Sequence, residues 1–207
     1  RRHKLRVSIL YGNGLDLGYG LNTSYCEFYD YLIALEKEDE KLSNNIIFKK
    51  LKEDKESGKI DLWKDYEVRL GDITVEINEI DIEKFDEDKI SIDECLIEFL
   101  RQENKKLDDI EINSIDLLKG TIPLIGDCQK LDDQEKMKNL LSKFKTEHFY
   151  IQPISFNYTD KVTKIFNLKQ DAIVSTRILG YPTSNYSMYI KSPLYLHGTL
   201  TNNELIV

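Results

Sequence analysis

Residues 9–28, ILYGNGLDLGYGLNTSYCEF, run from an apolar stretch through Gly12, Gly14, Gly18 and Gly20 to a helix start, and they decide the fold. Upstream, Leu5–Tyr11 (LRVSILY) is short, β-rich and closed by Gly12, which predicts a buried first strand. Downstream, Ser24 stands three residues before Glu27, the spacing of a capping box, and Tyr25, Phe28, Leu32 and Leu35 then step at helical intervals. The opening therefore reads as strand, glycine-rich turn, helix. Four of the ten glycines in the chain lie in that turn, beside Asn13, Asp16 and Asn22. Glycine lets a backbone turn tightly and approach a pyrophosphate, whose charge is met by exposed N–H groups. The other reading of the same glycines is a turn shaped only by packing. No Gly-Lys-Ser/Thr follows, so a Walker A loop is excluded. The usual dinucleotide fingerprint also fits poorly, because the region that should hold its second strand and acidic residue is helical in pattern. Asp16 would repel a phosphate unless a cation or hydrogen-bond network intervened. It either caps a helical turn at Leu15–Gly18 or faces the ribose or base end of a ligand.

The 207 residues suffice for one fair-sized domain, or for a core domain carrying a large insertion. With 41% hydrophobic and 32% charged residues the composition is that of a globular protein with abundant charged surface. A net charge of −8 argues against general nucleic-acid or anionic-membrane binding, which need a basic footprint. The basic cluster Arg1-Arg2-His3-Lys4 with Arg6 reads as a terminal arm or a solvated end. Cys26, Cys95 and Cys128 are odd in number, far apart and without CxxC spacing. Neither a disulfide framework nor a zinc site is expected, and no other metal-ligand spacing recurs. No secretory or membrane-spanning run is present, so the expected location is the cytoplasm.

From Glu36 to Glu147 the texture turns helical. Leu62, Tyr66, Leu70, Ile73, Ile77 and Ile80 predict a long amphipathic helix through DLWKDYEVRLGDITVEINEI. Ser91 and Glu94 read as a second capping box ahead of Cys95, Leu96, Phe99 and Leu100, and Asp132 or Asp133 as the start of a helix carrying Met137, Leu140, Leu141 and Phe144. Glu36–Lys41 and Lys49–Lys59 read as solvated helix faces or loops, and Thr121–Gly126 as a connecting loop. β character returns in FYIQPISF (Phe149–Phe156), where Pro153 suggests an edge or an irregularity. NYTDKVTKIF turns into a helix capped by Thr159 or Asp160. AIVSTRIL, SPLYL and ELIV are further strand candidates, the last running to Val207 as though the core were truncated there. The expected organisation is a core of residues 1–35 and 148–207 around a helical insertion or cap of residues 36–147. The expected fold is α/β, with a mostly parallel Rossmann-like sheet.

Three polar groups follow directly on predicted strands: Gly12–Gly14, Asn157 and His197-Gly198. Ligands of open parallel α/β sheets bind outside the carboxyl ends of the strands, so these exits are expected to converge on one crevice. At such an exit His197 could accept a proton near neutral pH, though a lone histidine is also commonly structural, and His148 sits at what looks like a helix end. Asn157 could orient a water, donate to a ribose hydroxyl, or bond its own turn.

GNGLDLGYGLNTSYCEF, LWKDYEVRL, SFNYTDKV and LYLHGTL, in this order, resemble the AbiH family of bacterial phage-defence proteins across essentially the whole chain. Leu15 stands where that family more often has phenylalanine. The order of glycine turn, asparagine after a strand and His-Gly after a strand is similar, more distantly, to SIR2-like NAD-consuming domains. That likeness implies catalytic roles for His197 as general base and for Asn157 at the nicotinamide ribose. It implies NAD binding by Gly12, Asn13, Gly14, Asp16, Asn22, Thr23, Ser24, Tyr158 and Gly198, and a SIR2/DHS-type sheet. Asp16 replaces the serine of those domains, the acid after Asn157 is displaced to Asp160, and no four-cysteine module accompanies them, so protein deacetylation is not implied.

The expected function is an abortive-infection effector that binds NAD and cleaves its nicotinamide N-glycosidic bond. The alternatives are a nucleotide-binding sensor without turnover and a protein-interaction effector acting through its acidic helical region. The expected partners are the nucleotide, a phage- or host-encoded trigger protein and further copies of the chain, with neither nucleic acid nor membrane among them.

Overall fold

The computed structural model describes residues 5–59, 66–76, 82–109, 130–143, 147–166, 172–175, 187–200 and 204–205. The chain divides into two compact units, Arg1–Gly12 with Asp108–Leu196, and Asn13–Leu107 with His197–Val207.

The first unit is built on a mixed sheet. Strand β1 (Leu5–Tyr11) pairs in parallel with β2 (Phe149–Ser155) along its whole length, from Leu5 opposite Phe149 to Tyr11 opposite Ser155. On its other side β2 pairs in parallel with β4 (Ser187–Ile190) and then β5 (Leu194–Tyr195), while β3 (Ala172–Ser175) runs antiparallel beside β4. Helices α7 (Leu131–Ser142) and α8 (Lys161–Phe166) belong to the same unit. Ile151, Met188 and Ile190 are buried, while Tyr150 and Tyr189 stack on each other at 4.8 Å between ring centroids. The mostly parallel α/β expectation holds at this coarse level.

β2 is central in this sheet, so Pro153 marks an irregularity and not an edge. The carbonyls of Ile151 and Ser155 accept from the N–H groups of Lys191 (2.9 Å) and Leu196 (3.0 Å). Pro153 has the same parity, so its missing donor falls on that same side. There the facing strand breaks: two residues of β2 separate Ile151 from Ile154, against three between Ile190 and Leu194. This is a bulge placed where the ladder lacks a donor. The Gln152 side-chain amide donates to the carbonyls of Ser192 (2.9 Å) and Pro153 (3.1 Å) and so patches the gap.

The second unit contains α1 (Gly14–Gly18), α2 (Tyr25–Glu36), α3 (Glu40–Asn44), α4 (Ile46–Glu56), α5 (Tyr66–Glu76) and α6 (Ile82–Lys105), with the short antiparallel pair β6 (Gly198–Thr199) and β7 (Glu204–Leu205). The Ser24–Glu27 capping box forms at the start of α2. Phe28 and Leu32 face a core with Ile47, Phe48, Leu70, Ile73, Ile92 and Phe99. The long helix expected over residues 61–80 is helical where described, at Tyr66–Glu76, while Leu62, Ile77 and Ile80 lie outside the described residues, as does Thr121–Gly126. Ser91 does not start a helix. α6 runs through it uninterrupted, because Phe85 already continues the buried stripe of Ile92, Leu96 and Phe99 one heptad upstream. α7 begins at Leu131, one residue before the earlier of the two expected starts. His148 sits just ahead of β2, where its Nδ1 accepts the Ser187 N–H at 3.1 Å.

The charge-dense segment Lys49–Lys59 is not wholly solvated either. Asp54 is buried and receives both Nε (2.6 Å) and Nη2 (2.9 Å) of Arg69, itself only 2% exposed. Arg69 also donates to Glu76 at 2.5 and 3.2 Å. These bonds tie α4 to α5, hold the Glu76 carboxyl below its ordinary range and raise the Arg69 guanidinium further above its own.

Candidate functional site

The parallel strands of the first unit end side by side. Tyr11, Ser155 and Tyr195 stand in one register row across β1, β2 and β5. The ladder continues one step beyond, with the Phe156 N–H donating to the Tyr11 carbonyl at 2.9 Å and the Leu196 N–H to Ser155. Gly12, Asn157 and Leu196 therefore leave the sheet at adjacent strand exits, with neighbouring strands about 4.8 Å apart. Burial pushes the Tyr11 phenol up to about 12, so it stays protonated and can donate. Tyr195 Oη accepts the Thr163 N–H at 3.0 Å and shares a hydrogen bond with Thr163 Oγ1 at 2.7 Å, anchoring the end of β5 to α8.

Asn157 is the distinctive group at these exits. Fully buried Ser155 fixes its backbone: Ser155 Oγ accepts the Asn157 N–H at 3.1 Å and donates to the Asn157 carbonyl at 3.4 Å. The Asn157 side chain is only 4% exposed, yet neither Nδ2 nor Oδ1 has a hydrogen-bond partner. Leaving such groups buried costs about 1–3 kcal/mol apiece. Thr159 and Lys161 are also buried, and Tyr158 is half-buried. Asp160 accepts the Lys164 N–H through its carbonyl at 3.1 Å, in the position of a cap for α8.

The glycine-rich turn lies in the second unit from Asn13 onward. Asn13 precedes α1, and its Nδ2 donates to the Thr23 carbonyl at 3.1 Å while Thr23 Oγ1 donates to Asn13 Oδ1 at 2.5 Å. Asp16 lies buried inside α1 and does not cap it; its carbonyl accepts from the N–H groups of Tyr19 and Leu21, both at 3.1 Å. Gly20 follows at φ +78°, a left-handed conformation that explains a glycine there. Gly12, Gly14 and Gly18 have no such conformation, and a Cβ added to any of them meets nothing within 4 Å. Packing does not account for those three glycines. Ser24 Oγ accepts the Glu27 N–H at 3.3 Å and donates to Glu27 Oε2 at 2.7 Å, and that carboxylate also accepts the Ser24 N–H at 3.2 Å. The side chains of Asn13, Thr23 and Ser24 thus hold the turn itself.

Glu103 is a support that sequence reasoning missed. Its buried carboxylate accepts the Asn22 N–H at 2.8 Å and a bond from Lys106 Nζ at 2.6 Å. No local signal links positions 81 residues apart. His197 is half-buried and leads into Gly198, which has φ +77° and opens β6. Of the expected site residues, the sheet unit holds Gly12, Asn157 and Tyr158, and brings Gly12 and Asn157 to neighbouring exits. Asn13, Gly14, Asp16, Asn22, Thr23, Ser24, His197 and Gly198 belong to the helical unit.

The LWKDYEVRL motif mainly builds helical core. Tyr66 stacks on Tyr25 at 5.3 Å and meets Phe28 edge-on at 6.1 Å. Both rings help line an apolar pocket of about 270 Å³ with Tyr29, Leu51 and Arg69. Tyr66 Oη and Asp93 Oδ1 are two further buried polar atoms without a hydrogen-bond partner. Burial, with Asp93 adding, pushes the Tyr66 phenol well above its ordinary range, and burial likewise raises the Asp93 carboxyl against the pull of Lys89. Among the described residues no group of three or more histidine, cysteine and carboxylate side chains is arranged to hold a metal, and no helix is long and apolar enough to cross a membrane.

A family model described as bacteriophage abortive infection AbiH matches residues 9–207. No curated protein and no solved structure matches the chain.

Proposed function

The chain belongs to the AbiH family of bacteriophage abortive infection proteins, and we propose that it acts in phage defence by binding NAD and cleaving the nicotinamide N-glycosidic bond. The observation that carries this reading is the buried, unpartnered amide of Asn157 at the exit of the central parallel strand, next to the exit of Gly12. The carboxyl ends of parallel strands are where α/β sheets of Rossmann or SIR2 type take nucleotides. Three glycines whose Cβ positions are open leave room for a diphosphate to approach the backbone. In the proposed reaction the bond from C1′ to the pyridinium nitrogen breaks, and its electron pair leaves with neutral nicotinamide. Positive charge develops on the ribose, as in glycoside hydrolysis. Asn157 holds the nicotinamide riboside end, while His197 takes the proton of the water that adds to C1′.

The test is nicotinamide release by the purified chain with a phage-derived activator present. His197→Ala should lower turnover about 10²–10⁴-fold while leaving the circular dichroism spectrum unchanged. Wild-type protein that binds NAD under activation without releasing nicotinamide refutes the hydrolase reading and leaves a nucleotide sensor.

A further inference from the structure

We infer that Asn157 reads an uncharged group presenting a hydrogen-bond donor and an acceptor side by side, and not a phosphate. The inference rests on the nucleotide reading above and names the part of the nucleotide that this residue recognises. A primary amide carries two N–H donors on Nδ2 and two lone pairs on Oδ1. Both atoms are buried without a partner, so a ligand that satisfies the side chain must accept from one and donate to the other. A phosphate only accepts. It would bond Nδ2 and leave Oδ1 buried against further lone pairs, an arrangement that costs affinity instead of supplying it. An ammonium has the opposite fault. Within NAD the matching chemistry comes from two sources, the carboxamide of nicotinamide and the cis-diol of its ribose. Phosphate recognition then falls to other groups, for which the open backbone at Gly12 and Gly14 is suited.

The residue is also held ready. Ser155 Oγ satisfies the Asn157 backbone N–H and meets its carbonyl, so the turn is closed without any ligand and the amide has no backbone bond of its own to break. A donor–acceptor pair on a preset turn loses little on binding, which favours selectivity.

The experiment is calorimetric titration of the whole chain, wild type and Asn157→Asp, with NAD, with nicotinic acid adenine dinucleotide and with ADP. Aspartate keeps the shape of the side chain but replaces both donors with a charged oxygen. NAD affinity should fall at least about 10-fold, one hydrogen bond's worth, while ADP affinity stays within about 2-fold because ADP lacks the nicotinamide riboside end. Asn157→Leu, which is neutral, must give the same pattern, and melting curves of both variants report that they are folded. An equal loss for ADP makes Asn157 a phosphate ligand and overturns the inference, as does no loss for either nucleotide. With wild type, binding of the nicotinate analogue at least about 10-fold weaker than NAD identifies the carboxamide as the group read, and equal binding identifies the ribose diol. Wild-type protein that binds neither NAD nor ADP fails earlier and takes the nucleotide reading with it.

Discussion

Replacing Asn157 by leucine should make the ligand-free protein more stable and the NAD-saturated protein less so. In the folded chain Nδ2 and Oδ1 are both cut off from water and have no partner, whereas in the unfolded chain water satisfies them. Each such group costs about 1–3 kcal/mol, and leucine, close in shape, removes both while adding apolar burial. Taking the low end of that range, the variant gains about 1–3 kcal/mol, and each kcal/mol moves the melting midpoint of a domain this size by about 2–4 °C. Ligand reverses the ranking. At 100 times its dissociation constant NAD stabilises wild type by about 2.7 kcal/mol through mass action, and it should leave the variant where it was. Scanning calorimetry of both proteins, with and without NAD, gives all four midpoints. A leucine variant that melts below wild type without ligand means that the amide is satisfied within the fold, and the argument fails. A variant whose midpoint still rises with NAD removes Asn157 from the site.

The other predictions use features away from that amide. Arg69→Met strands the buried carboxylate of Asp54 and should cost about 3–5 kcal/mol in denaturant unfolding; adding Asp54→Leu should recover most of it, and a double variant no better than the single refutes the buried-pair account. Arg69 depresses the folded-state pKa of Glu76 below its ordinary 4.5, so the stability Glu76 contributes is complete above that value and is lost as pH falls through the depressed one. The melting difference between wild type and Glu76→Gln should therefore shrink on acidification, and a difference that widens contradicts the sign. Gly20→Ala should cost about 1–2 kcal/mol for its left-handed conformation. Gly14→Ala, with open space at Cβ, should stabilise by about 0.4–1 kcal/mol yet weaken NAD binding in the same titration.

What could be read from the residues alone was what short-range physics writes into them. The Ser24–Glu27 box spans three residues, and both partners are visible in one glance at the sequence. The same four-residue pattern misled at Ser91, because a cap motif carries no information about a helix already under way, and Phe85 one heptad before Ile92 does. β4 escaped notice since SMYI offers only one full alternation of buried and half-buried residues, too little to stand out. Pro153 announced an irregular strand correctly, but a central position depends on which strands flank it. The strand exits at Tyr11, Ser155 and Tyr195 were legible as polar residues following β runs. The dependence of Asn22 on Glu103, and of Asp54 on Arg69, was not, because burial and long-range geometry choose those partners.

Two prolines without an N–H stand near one another in the first unit, Pro153 on the middle strand and Pro193 in the segment facing it, and together they work as an index mark. Only one alignment of the last two strands lays the extra residue beside the blank donor, with Gln152 in reach to bridge it. A chain that slid by two positions would keep every side chain on its proper face. It would still strand a buried carbonyl opposite a proline, at about 1–3 kcal/mol, somewhere no glutamine amide can serve it. What looks like a flaw in the ladder therefore sorts the correct register from its nearest impostor.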